Sequence, residues 1–141
     1  MNYITNELLI GLPNDSPQDM SLNMLWFKDR GTNLVIARGD IEPNNTLENT
    51  YKNQLKKLSQ QVKVIKCTDP KESVAGTAKD IKGYEIMTDF IRGPEHSYQY
   101  QFVCQIPATQ RMLAITYSKT SPLTEQDTAH WQEIKDNLSF A

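Results

Sequence analysis

The chain has 141 residues, 38% hydrophobic and 23% charged, which suits one soluble globular domain over residues 1–141 with a sizeable buried core. Fifteen Lys and Arg against seventeen Asp and Glu leave a net charge of −2, so no electrostatic footprint for nucleic acid or an anionic membrane exists. No apolar run approaches the roughly 20 residues that span a bilayer. The start, Met1–Leu8, lacks the basic region, apolar core and cleavage site of a secretory signal, and no cysteine is placed for a lipid anchor; a cytoplasmic location is expected.

In chain order, a first strand is predicted over Tyr3–Ile10, ended by Gly11-Leu12-Pro13, with a polar turn over Asn14–Asp19. Met20–Lys28 then alternates as a strand. Met20, Leu22, Met24 and Trp26 point one way; Ser21, Asn23, Leu25 and Phe27 point the other. A strand apolar on both sides is either covered on both or meets a partner on one. Methionine, unbranched and polarizable, accepts partners of varied shape. Asp29-Arg30-Gly31 is turn chemistry, which makes Asn33–Arg38 the antiparallel hairpin partner.

Pro43–Thr46 introduces a helix, with Asn45 and Glu48 spaced as a capping box. Leu47, Tyr51, Leu55, Leu58 and Val62 follow on one helical stripe. Lys52, Lys56, Lys57, Lys63 and Lys66 read as a solvated face, with Glu48 one turn before Lys52. After the helix come a strand over Val62–Cys67, a polar loop over Thr68–Thr77, and strands over Lys82–Ile91, Tyr98–Ile106 and Met112–Tyr117. Gly93–His96 and Pro107–Gln110 supply the turns. A closing helix starts at Ser121-Pro122 or Thr124 and buries Trp131, Ile134 and Leu138. The order β-β-β-α-β-β-β-β-α, dominated by hairpins, predicts an α+β fold with a twisted antiparallel sheet and two packed helices.

Signals for chemistry are thin. His96 and His130 have no ligand at metal spacing, and no GxSxG, GxGxxG or phosphate-loop pattern occurs, so no catalytic residue, metal or other cofactor is expected. Cys67 and Cys104 are isolated and read as reduced thiols. Asp89 lies beside Met87 and Ile91 without a partner the sequence can name. Gln99, Gln101 and Gln105 share one face of their strand; they are either a solvated sheet face or amides that donate to and accept from a bound peptide. Gln54 sits on the inner helical stripe beside Tyr51 and Leu58 and offers the same chemistry.

The chain resembles the DcrB-like domain family, whose fold is similar to that of Mog1 and PsbP. The resemblance rests on Gly11-Leu12-Pro13, on Leu22, Met24 and Trp26, on Asn33–Arg38, and on the helix Thr46–Gln61 with Tyr51 and Leu55. Gly83-Tyr84-Glu85 and Trp131, Ile134, Leu138 and Phe140 complete it in the right order. A compact member most resembles the Eag effector-associated chaperones of type VI secretion systems. That resemblance implies a cytoplasmic homodimer that cradles the N-terminal transmembrane helices of a PAAR or Rhs effector. It implies client contacts at Leu22, Met24 and Ala37, at Gln54, Leu58 and Val62 of the helix, and at Gln101. Two other classes stay open: a generic interaction domain of the same fold with a soluble partner, and an enzyme whose site the sequence hides.

Overall fold

The computed structural model describes residues 2–13, 17–18 and 20–141, with side chains from residue 5 onward. The polar turn expected over Asn14–Asp19 falls largely outside the described residues. The elements run β1 (Asn2–Ile4), β2 (Leu9–Gly11), β3 (Asn23–Phe27), β4 (Thr32–Asp40), α1 (Leu47–Gln61), β5 (Lys63–Cys67), β6 (Lys71–Ala75), β7 (Ile81–Arg92), β8 (Glu95–Gln105), β9 (Arg111–Lys119) and α2 (Glu125–Asp136). The seven-stranded antiparallel sheet has the order β3-β4-β9-β8-β7-β5, with β6 on the other half of β7.

Three expectations are corrected. The single opening strand is a hairpin, because Thr5 turns the chain: its backbone N–H and hydroxyl bond to Leu8, and β1 pairs with β2. The polar loop after α1 contains β6; the long β7 offers a free edge, and polar residues can occupy an edge strand. The cap of α1 is Thr46, whose Oγ1 accepts from the Asn49 N–H. Asn45 caps Thr46 itself, and Glu48 turns outward to Lys52 at 2.8 Å and to the Tyr84 hydroxyl. At α2 the alternatives resolve to Thr124, in a reciprocal capping box with Asp127.

The hairpins follow their turn residues. Arg92 pairs with Glu95 across Gly93-Pro94, and Gly93 supplies the positive φ of 59° that a two-residue turn needs. Phe27 pairs with Thr32 across a loop in which Gly31 takes φ 68°.

The helices lie on opposite faces of the sheet. Under α1 lie Ile86, Val103 and Met112, packed with Tyr51 and Ile41. Under α2 lie Leu34, Phe102, Cys104, Ile115 and Tyr117, packed with Trp131. Gly83 on β7 lets the strands close here, since a Cβ would stand 2.0 Å from the Val103 carbonyl. The α2 face is fixed by a buried polar cluster. Lys135 Nζ donates to both Glu85 carboxylate oxygens at 2.7 and 2.8 Å, and Trp131 Nε1 donates to Oε1 at 2.7 Å. A second link joins Tyr117 Oη and His130 Nδ1 at 2.8 Å, with the Phe27 ring edge-on to the imidazole.

Breaking a buried ion pair costs about 3–5 kcal/mol because the surviving charge is stranded. Glu85→Ala should therefore lower the melting temperature by about 6–20 °C, at about 2–4 °C per kcal/mol for a chain of this size. Glu85→Gln with Lys135→Met should restore most of it; thermal melts followed by circular dichroism check both.

Burial first, and then the Arg30 charge, hold His130 below the ordinary histidine value of 6.5. The folded state thus takes up this proton less readily than the unfolded chain. Its contribution to stability is complete above pH 6.5 and is lost as pH falls toward the lower value of the folded state. Urea melts across pH 7.5 to 5 should show that decline, and His130→Phe should flatten it.

Candidate functional site

Residues directly opposite one another in a sheet share a face. Met24 pairs with Val35, Val35 with Thr116, Thr116 with Gln101, and Gln101 with Ile86. The row on one side is Trp26, Asn33, Ser118 and Gln99. On the other side Ala37 pairs with Ala114 and Ala114 with Val103. These rows all lie on the α1 face, since Ile86 and Val103 belong to its core.

α1 covers only part of that face. It begins beside Tyr84, where Glu48 meets the tyrosine hydroxyl, and ends where Lys63 pairs with Ile91. It therefore runs along β7 and β8. Tyr51 makes the fastening: buried, it donates its hydroxyl to Gln101 Oε1 at 2.7 Å, and Gln101 Nε2 donates to Thr116 Oγ1 at 2.8 Å. Burial above all, helped by the neighbouring Cys67 and Glu85, raises the Tyr51 pKa and keeps the phenol a donor. Gln54 reaches sideways to β4, where a Cβ on Gly39 would lie 3.9 Å from its Nε2.

The β9-β4-β3 portion of the face is left open. Leu22, Met24 and Trp26 are 57%, 64% and 59% exposed, and Val35, Ala37, Ala114 and Thr116 are half-buried beside them. None of the β3, β4 and β9 residues named on this floor carries a charge; Arg92 and Glu95 line the cavity at its Trp26 end. An apolar strip on β3 and β4 therefore grades into amides and hydroxyls on β9 and β8. Such a surface suits an apolar segment with a few neutral polar groups and disfavours a charged one.

Of the residues expected to touch a partner, Met24, Ala37 and Gln101 sit on this one face and Gln54 borders it, while Leu22 is exposed just ahead of β3. Leu58 and Val62 lie farther along the inner stripe of α1 and are half-buried. Gln101 spends both ends of its amide inside the protein, so it shapes the floor and leaves one N–H to offer. Sequence reasoning missed Trp26, Val35 and Thr116 as floor residues. Alternation gave the direction of Trp26, but only the cross-strand register shows that β4 and β9 continue the same surface.

The chemistry on the opposite face differs. There Asp89 pairs with His96 Nε2, and the Tyr98 hydroxyl stands 3.2 Å from Nδ1, at the exposed end of the β7–β8 hairpin. Among the described residues no group of three His, Cys, Asp or Glu is arranged to hold a metal ion. Among them, too, no helix is long and apolar enough to cross a membrane.

The model of the DcrB family matches residues 7–137. This chain belongs to the DcrB family. No curated protein matches it. Among solved structures it is similar to PA94 from Pseudomonas aeruginosa, a protein of unknown function suggested to be a regulator. The TM-score is 0.63 and the identity 17%, over 100% of this chain and 96% of that one. That likeness agrees in fold: an α+β domain with an antiparallel sheet and two helices.

Because Leu22 and Met24 already face solvent, aspartate at either position costs the folded domain little. Leu22→Asp and Met24→Asp should each melt within about 0.5 kcal/mol of the parent. An early melt of either would place these side chains in the core instead.

Proposed function

We propose that this DcrB-family chain is a cytoplasmic chaperone that shields apolar transmembrane helices of a client protein. The client class is an effector of the PAAR or Rhs type, held through its N-terminal transmembrane region until it is loaded on the type VI secretion spike. The observation that carries the reading is the uncharged, open sheet face beside α1, with Leu22, Met24 and Trp26 exposed at its rim. Newly made transmembrane helices aggregate in water unless covered, and a face of Leu, Met and Trp can cover them by burial alone. Gln54, the free N–H of Gln101 and the hydroxyls of Thr116 and Ser118 can meet the occasional polar group of such a helix. The protein is a binding partner without catalytic residues or cofactor in this reading, and it acts as a homodimer. A transmembrane hairpin presents two helices of about 30 Å each, and two copies of the domain form a longer cradle for it.

Co-expression with an effector encoded beside this gene should raise the soluble effector level and allow the two to be purified together. Met24→Asp should cut client recovery tenfold or more, because an unpaired carboxylate would be buried against hydrocarbon. Equal effector solubility with and without this chain would sink the reading. A charged, soluble partner captured on the same face in place of helices would assign the face to ordinary protein interaction.

A further inference from the structure

The two edges of the sheet are built differently. The edge formed by β5 and β6 carries Lys63, Lys66, Lys71 and Glu72, and β5 is bulged between Val64 and Lys66. Charges and bulges of this kind keep an edge from recruiting another strand. The opposite edge, β3, has no such guard. Asn23-Met24-Leu25-Trp26-Phe27 contains no charge, proline or glycine, its pairing with β4 is regular, and among the described residues no strand pairs with its outer side. It is apolar on both faces: Met24 and Trp26 face the α1 side, and Leu25, 50% exposed, faces the α2 side.

We infer that this edge pairs antiparallel with β3 of a second copy of the chain, about a two-fold axis centred on Leu25. The inference rests on the two-copy part of the reading above and does not need the client. A second copy fits because the sequence is self-complementary in that register. Met24 of each chain faces Trp26 of the other, a favourable sulfur–aromatic pair. Leu25 faces Leu25 on the α2 side, Asn23 faces Phe27, and no two like charges are opposed. Such an isologous contact closes on itself and leaves only the guarded β5–β6 edges at the ends of the joined sheet. The hairpin β1–β2 points to the same partner. It forms a two-stranded sheet of its own with Leu8, Leu9 and Ile10 exposed, and a lone hairpin is marginal in water. The hairpin precedes β3 in the chain, as an arm reaching onto the second copy would. The pairing would also join the two open faces into one continuous floor, since Met24 and Trp26 border both.

Light scattering at tens of micromolar, without client, tests the inference. The parent should have twice the monomer mass. Leu25→Lys and Leu25→Glu should each be folded monomers by circular dichroism, and an equimolar mixture should return to the dimer, because position 25 faces itself. A monomeric parent, a dimer that survives both charged substitutions, or a mixture that stays monomeric would each overturn it. If a charged variant fails to fold, Leu25→Cys in a Cys67→Ser background decides. Directly opposed residues lie about 4.5–5.5 Å apart at Cα, within disulfide reach, so mild oxidation should link two chains. No linkage would overturn the register. Client capture is read separately. A dimer that ignores the client leaves this pairing standing and removes the chaperone reading; a monomer that binds the client does the reverse.

Discussion

A seven-stranded sheet has two faces to cover, and the described residues supply two helices to cover them with. That shortage organises the molecule. α2 lies over the middle of one face, where Phe102, Ile115 and Tyr117 meet Trp131. α1 lies over β7 and β8 on the other, where Val103, Ile86 and Met112 meet Tyr51. The first strands, β3 and β4, extend past the cover of α1, and their α1-side residues are what water meets. The open face is thus a consequence of topology: β4 and β3 lie on the far side of β9, two and three strands from β8.

The helices are held by unlike means. On the α2 side a buried lysine and a partly buried carboxylate, joined by the Trp131 indole, fix one orientation at a desolvation cost. On the α1 side the fastening is neutral: a phenol, an amide and a hydroxyl in series. The neutral solution adds no charge to the neighbouring open floor, as the proposed apolar client would require. A salt bridge at Gln101 would have put a charge at the centre of that floor.

Much of this was legible in the sequence. The stripe Leu47, Tyr51, Leu55, Leu58, Val62 gave α1, and the clean alternation from Tyr98 to Ile106 gave β8. The direction of Met24 followed from period two. The cap of α1 was misplaced by one residue because Asn45 and Thr46 are both good caps, and only geometry chooses Thr46. β6 was hidden because Lys71-Glu72-Ser73 has no strand propensity and pairs only because β7 is long enough to receive it. The opening hairpin was hidden by Thr5, whose side chain makes the turn without glycine or proline. The floor was half visible: alternation placed residues on a face of their own strand, but which strands share that face is a matter of register, and register depends on contacts far apart in sequence.

The measurement that bears most directly on the central claim is site-specific photocrosslinking during co-expression with the client. A crosslinking residue at Met24 or Ala37 should capture the apolar N-terminal helices of the effector, and the same residue at the exposed Ala129 of α2 should capture none. Capture from Ala129 with silence at Met24 and Ala37 would contradict the account and move the binding surface to the opposite face.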